Sequence, residues 1–250
     1  MLLKDRVAIV TGAGSGIGRA IANKFAEAGA RVVVSDINED GGSRTVREIT
    51  AAGGQASFFR ADTSRPEDNE ALVAEALRRF GALHIAVNNA GIGGPIAAVG
   101  EYPIDGWDKV IAINLSGVFY GMRHQIPAMK AAGGGGSIIN MGSILSQVGF
   151  RGSVAYVAAK HGLVGLTQNA ALEYAADKIR VNVVGPAFIR TPLVENGLDP
   201  VAQKELVVLH PLGRLGEPSE VAELVLWLSS EKASFVTGSY YAIDGGYLAQ

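Results

Sequence analysis

The chain predicts a doubly wound α/β domain, a parallel sheet with helices on both faces, and three observations lead there. Short β-branched runs alternate with stretches of helical periodicity through most of the sequence. The first run stops at a glycine-rich turn that opens a helix, so strand, turn, helix and next strand make one βαβ unit. The runs are apolar almost without interruption, as strands covered on both faces are.

Arg6 to Thr11 is the first strand and Gly12-Ala13-Gly14-Ser15-Gly16-Ile17-Gly18 the turn. Arg19 to Ala28 then carries helical spacing at Ile21, Ala22 and Phe25 until Gly29 stops it. Arg31 to Asp36 is the second strand. The alternation continues with a helix over Gly41 to Ala52, a strand over Gln55 to Arg60, a helix over Glu67 to Phe80 and a strand over Leu83 to Asn88. A long helix over 105–132 leads through the glycine block Gly133 to Gly136 into a strand ending at Ser143. A helix over Ser153 to Ala176 and a strand over Ile179 to Val184 follow.

Between 186 and 211 the alternation lapses, with prolines at 186, 192, 200 and 211, which predicts a lid or substrate loop with short helices of its own. Glu217 to Leu228 restores a helix with Pro218 in its first turn, and Ser239 to Ile243 is the last of about seven strands. No shift in composition marks a linker, so residues 1–250 are expected to form one domain.

Composition narrows the partners. A content of 48% hydrophobic and 18% charged residues is that of a globular chain. The 22 basic residues nearly balance the 24 acidic ones without runs of like charge, which offers no footprint for nucleic acid or an anionic membrane. There are no cysteines, hence no disulfides and no thiolate metal sites. Neither a signal-like N-terminus nor a run of about 18 apolar residues occurs, and the expectation is a cytoplasmic protein with a small-molecule partner.

Two local patterns carry chemistry. Glycines at 12, 16 and 18 between a strand and a helix let the backbone approach a pyrophosphate at the helix N-terminus, where free N–H groups and the helix dipole favour negative charge. The spacing is wider than the commoner Gly-x-Gly-x-x-Gly fingerprint. Asp36 closes the second strand about 20 residues on, where an acid accepts ribose hydroxyls and repels a 2′-phosphate. With no base at Ala13, Ser15 or Ile37, the reading is NAD in preference to NADP.

The second pattern is Ser143 at a strand end, followed by Tyr156 and Lys160 four positions apart, hence on one helix face. A phenol is a poor base at neutral pH, but an ammonium about 4 Å away is worth ~4 kcal/mol at an effective dielectric of about 20. Lys160 could therefore bring Tyr156 into working range as an acid and base, with Ser143 holding a substrate oxygen beside it. By spacing alone the pair reads more readily as an ordinary surface contact.

Together these residues resemble the short-chain dehydrogenase/reductase family over nearly the whole chain. Thr11 to Gly18 looks like its cofactor turn, Asn88-Asn89-Ala90-Gly91 like its fourth-strand motif, Asn114 like its helix-borne asparagine, and Ser143 with Tyr156-Val157-Ala158-Ala159-Lys160 like its catalytic signature. The resemblance implies a Rossmann-type dehydrogenase moving a hydride between NAD(H) and a secondary alcohol or ketone. In it Tyr156 exchanges the proton, Ser143 polarises the carbonyl, Lys160 lowers the phenol pKa and holds a ribose, and Asn114 anchors a relay water. It further implies a cofactor site of Gly12, Ser15, Gly16, Ile17, Gly18, Asp36, Asp62, Thr63, Asn89, Ala90, Gly91, Tyr156, Lys160, Pro186, Ile189 and Thr191, and a homotetramer packed through helices 105–132 and 153–176.

Three departures stand out, of which Gly142 before Ser143 changes little. Ala187 replaces a usual glycine, and His84 stands where aspartate is common and is expected to be structural. Gly93, Gly94, Ile144, Leu145, Val148, Phe188, Leu193 and Val194, with Gln147 and Ser153, are the expected pocket lining, which favours an uncharged substrate. The C-terminal Tyr247-Leu248-Ala249-Gln250 is similar to the tail of members whose last glutamine binds magnesium, but no metal ligand is assigned. Rival readings are a sugar 1-dehydrogenase, a 3-oxoacyl-carrier-protein reductase and a non-catalytic NAD sensor.

Overall fold

The chain runs β1 (Val7–Thr11), α1 (Gly16–Glu27), β2 (Arg31–Asp36), α2 (Glu39–Ala51), β3 (Gln55–Arg60), α3 (Pro66–Phe80), β4 (Ile85–Asn88), α4 (Ile104–Ile111), α5 (Gly117–Ala132), β5 (Gly136–Met141), α6 (Val154–Tyr174), β6 (Ile179–Pro186), α7 (Pro200–Val208), α8 (Pro218–Ser229) and β7 (Tyr240–Ile243). The computed structural model describes residues 1–192, 194 and 200–250. All seven strands are parallel, in the order β3-β2-β1-β4-β5-β6-β7. The winding therefore reverses between β1 and β4, and a crevice opens at their carboxyl ends, where such sheets bind ligands.

Burial explains which strands read as pure apolar runs. β1 and β4 are buried at every position. One face is covered by α1 and α8 through Ile21, Ala22, Phe25, Val221 and Val225, and the other by α3, α5 and α6 through Leu72, Met122, Met129 and Leu163. The edge strands β3 and β7 are only partly covered, so the expectation of two buried faces holds for the interior of the sheet and not for its rims.

Two elements differ from the sequence expectation in ways that matter. α1 starts at Gly16, so Gly16, Ile17 and Gly18 belong to the first helical turn instead of a loop before it. A Cβ at Gly18 would overlap the Gly12 carbonyl, which is why the strand can fold so tightly against the helix. The helix expected over 105–132 is interrupted by a π turn at Ala112–Ser116. Such turns recur at functional sites, and this one contains Asn114, which has no exposed surface.

His84 is structural, as expected. Its Nδ1 accepts from the Val7 N–H at 3.0 Å, and its own N–H donates to the Val7 carbonyl. Burial, followed by the nearby charges of Arg6 and Arg31, holds its pKa below the ordinary 6.5. The folded protein thus resists a proton that the unfolded chain accepts near that pH. The contribution is complete above it and is lost on acidification. His84→Asn, which keeps an acceptor that does not titrate, should shrink the drop in Tm between about pH 7.5 and about pH 5.5 in thermal unfolding.

Candidate active site

The glycine turn, the ends of β4 and β5 and the first turns of α6 meet at the crevice. Ser15 caps α1 without a side-chain hydrogen bond, and the first turn carries no acid, so its leading N–H groups are not taken by a side-chain cap. That is the donor set a pyrophosphate needs, and the residues present fit a dinucleotide. Thr11 Oγ1 accepts from the N–H groups of Asn89 (3.0 Å) and Ala90 (3.1 Å), while Asn89 Nδ2 donates to the Thr11 carbonyl at 2.8 Å. The loop after β4 is thereby tied to the end of β1. Thr191 packs against Gly16 at this turn, while Ile189 is buried beside Gly216.

Asp36 faces the turn as expected, but it is not idle there. Its carboxylate accepts from Gly14 N–H at 2.8 Å and Asn38 N–H at 2.9 Å, leaving the remaining lone pairs for a ligand. Asp62 and Thr63 follow β3. The Asp62 carboxylate is held by the Ser64 N–H and hydroxyl, and the Thr63 carbonyl accepts from Asn69. Pro186 ends β6, and Ala187 continues with its N–H on the Ile243 carbonyl at 3.1 Å. Ala187 is not among the residues at positive φ, so alanine costs no backbone strain there.

Ser143 begins a 3₁₀ turn over Ile144–Ser146. Its Oγ accepts from Leu145 N–H, and its own N–H donates to Ser146 Oγ, both at 3.2 Å. Tyr156 and Lys160 stand one turn apart on α6, with Nζ 5.3 Å from the phenol ring centroid. Lys160 is only 3% exposed and donates to the Met141 carbonyl at 2.6 Å, which joins α6 to the end of β5. Gly91 lies against both Lys160 and Asn114. The four proposed catalytic residues thus border one crevice.

The electrostatics differ from the simple expectation. Burial raises the Tyr156 phenol above its ordinary value, while the neighbouring Ser143 hydroxyl pulls the other way; lysine does not set the direction in the protein alone. The same burial pushes Lys160 down to about 8. A lysine whose folded value lies below its ordinary 10.5 destabilises the fold while it is charged, and that cost fades as pH rises from about 8 toward 10.5. Lys160→Met should therefore stabilise the protein at pH ~7 by about 1–2 kcal/mol in thermal unfolding, net of the donor lost by Met141, while removing activity.

Asn114 is committed to the protein: its Oδ1 accepts from the Ile92 N–H at 2.9 Å and its Nδ2 donates to the Ile92 carbonyl at 2.8 Å. Beneath the crevice is a polar network that sequence reasoning missed. Asn88 donates to Asn140, Asn140 to Thr167, and Gln125 to Asn88, at 2.8 to 2.9 Å and fully inside the protein. Leaving one such group unpaired costs about 1–3 kcal/mol, so the network locks β4, β5, α5 and α6 together under the reacting groups.

The pocket lining is partly as expected. Ile144 and Leu145, both in the 3₁₀ turn that Ser143 begins, are buried. Leu193 lies outside the described residues. Phe150 and Phe188 meet at 5.9 Å between ring centroids, and Phe188 also contacts His210 and Tyr247. Phe150 and His210 lie in loops and Tyr247 begins a short 3₁₀ turn, none with periodicity, which is why the sequence did not single them out as a group. Gln250 donates to the Leu209 carbonyl at 3.0 Å. Among the described residues no cluster of His, Asp and Glu suits a metal, and no helix is long and apolar enough to cross a membrane.

Comparison with known proteins agrees with this architecture. A short-chain dehydrogenase family model described as enoyl-(acyl carrier protein) reductase matches residues 12–248. The cyclohexanol dehydrogenase of Acinetobacter sp. (strain SE19) is 50% identical over 98% of this chain and 96% of its own length. The cis-4-hydroxycyclohexanecarboxylate dehydrogenase of Sinomonas cyclohexanicum is 44% identical over 98% of this chain and 97% of its own. The crystal structure of levodione reductase superposes with a TM-score of 0.94 at 38% identity, covering 99% of each chain. The chain belongs to the short-chain dehydrogenase/reductase family, enzymes that use NAD(P) to interconvert alcohols and carbonyl compounds.

Proposed function

We propose that this enzyme is an NAD-dependent dehydrogenase of carbocyclic secondary alcohols and the corresponding ketones. The observation that carries the reading is Tyr156 and Lys160 one turn apart on α6, with the Ser143 hydroxyl beside the Tyr156 phenol. The names of two close relatives both specify a hydroxyl on a cyclohexane ring, which supports the substrate class.

When bound, the nicotinamide dinucleotide gives or takes the hydride. Its holders are Gly12, Ser15, Gly16, Ile17 and Gly18 for the pyrophosphate, Asp36, Asp62 and Thr63 for the adenosine, and Asn89, Ala90, Gly91, Tyr156, Lys160, Pro186, Ile189 and Thr191 for the rest. Ser143 holds the substrate oxygen. Tyr156 gives that oxygen a proton in reduction and takes one in oxidation. Lys160, still mostly an ammonium at neutral pH, favours the phenolate electrostatically when oxidation begins. Asn114, held in place by Ile92, anchors the water that relays the proton.

A phenol raised by burial is protonated at neutral pH and ready as an acid. Ketone reduction should run well near neutrality, and alcohol oxidation should accelerate as pH rises and the phenol ionises. The segment 186–211, of which 193 and 195–199 lie outside the described residues, is assigned to substrate closure on its sequence alone, the active form is a homotetramer packed through 105–132 and 153–176, and the protein works in the cytoplasm.

The test is a rate comparison in which cyclohexanol, 2-butanol, glucose and a 3-oxoacyl thioester are each offered with NAD(H) and with NADP(H). Cyclohexanol with NAD should give the highest kcat/KM. Preference for glucose or for the thioester would replace the substrate assignment, and turnover of none of them despite NAD binding would favour a sensor.

A further inference from the structure

We infer that Tyr240, on the far edge strand, is a positioning residue for Ser143: its phenol donates to the Ser143 carbonyl at 3.0 Å across 97 residues of sequence. The inference rests on Ser143 being the hydroxyl that holds the substrate oxygen.

Apart from the Tyr156 phenol beside its hydroxyl, the bonds that hold Ser143 among the described residues come from its own turn. Its N–H donates to Ser146 Oγ, its Oγ accepts from Leu145 N–H, and its carbonyl accepts from Ser146 N–H at 2.8 Å. Every one of these partners lies within three residues. A 3₁₀ turn of three residues has poor hydrogen-bond geometry and little cooperativity of its own. The Tyr240 hydroxyl supplies the outside anchor that connects this turn to β7, itself paired with β6 through Val183.

The surroundings are built for that reach. The Tyr240 ring passes directly over Gly185, where any Cβ would overlap the phenol oxygen and ring carbons. Gly185 is in extended β6 and is not among the glycines at positive φ, so close approach of the ring, and not backbone conformation, is what demands glycine there. Burial, with the Asp244 charge adding to it, raises the Tyr240 phenol to about 12, so it remains a donor over any working pH.

With the anchor in place, Ser143 keeps its extended backbone (φ −167°, ψ 164°) and its hydroxyl stays beside Tyr156. A displacement of about 1 Å in such a group can cost about 10²-fold in rate.

A double-mutant cycle with cyclohexanol and NAD tests the inference. Tyr240→Phe in the otherwise native enzyme should lower kcat about 10- to 100-fold, with the NAD dissociation constant within about twofold and KM for cyclohexanol little changed. In a Ser143→Ala background the same substitution should change kcat by less than about twofold, because the group it positions is gone. Amide hydrogen exchange at Leu145 and Ser146 should quicken in Tyr240→Phe. Equal losses in both backgrounds, or unaltered kcat and exchange in the single variant, would overturn the positioning role while leaving Ser143 catalytic. Full activity in Ser143→Ala would instead remove the reading of Ser143 on which the inference rests.

Discussion

Tyr156→Phe should lower kcat for cyclohexanol oxidation by about 10²- to 10⁴-fold while leaving NAD binding within a few-fold of normal. The ring remains to pack against Val110, Ala155 and Ala159, so the fold loses only a hydroxyl. What disappears is the one group beside Ser143 able to take the alcohol proton. Lys160 cannot replace it, because its ammonium is already a donor to the Met141 carbonyl and is almost wholly enclosed. Thermal unfolding run alongside the kinetics separates loss of chemistry from loss of fold. A variant that keeps more than about a tenth of native kcat would show that another group moves the proton.

Asp36→Ser should have the second-largest effect, and on the choice of cofactor instead of the chemical step. A carboxylate facing a 2′-phosphate opposes it by about 2–3 kcal/mol at the dielectric of a protein surface, so removing it should shift the NAD-to-NADP ratio of kcat/KM toward NADP by about two orders of magnitude. Arg60, which stands opposite Asp36 in the β2–β3 register, is then a cation able to receive the phosphate. NAD itself should bind more weakly, since serine cannot take over the bonds to both Gly14 and Asn38. Measuring kcat/KM with both cofactors for the native and variant enzymes decides it, and a ratio unmoved by the substitution would take cofactor choice away from Asp36.

The sheet and much of the crevice could be read from the sequence because their signals are local. Strand, glycine turn and helix follow one another within Val7 to Glu27, Asp36 ends the next strand, and Tyr156 and Lys160 are one helical turn apart. What escaped depends on contacts between distant segments or on burial. Tyr240 reaches Ser143 from 97 positions away, and the network of Asn88, Gln125, Asn140 and Thr167 is assembled from two strands and two helices. The π turn around Asn114 is held by Ile92, 22 residues upstream, and leaves no mark in the periodicity of 105–132.

The same limit applies to charge. Spacing brings an ammonium near a phenol and predicts that the phenol becomes more acidic. Enclosure of both groups outweighs that attraction in the protein alone, raising Tyr156 and lowering Lys160. Only their depth, which the sequence does not carry, shows that desolvation dominates.

Hydride transfer from a ring carbinol to NAD, with the proton passed to Tyr156, is most directly tested by label. Cyclohexanol deuterated at the carbinol carbon should deliver one deuterium to the nicotinamide of each NADH formed by the native enzyme, and with Tyr156→Phe labelled NADH should form about 10²- to 10⁴-fold more slowly. NADH formed without the label, or labelled NADH formed equally fast by the variant, would contradict the account.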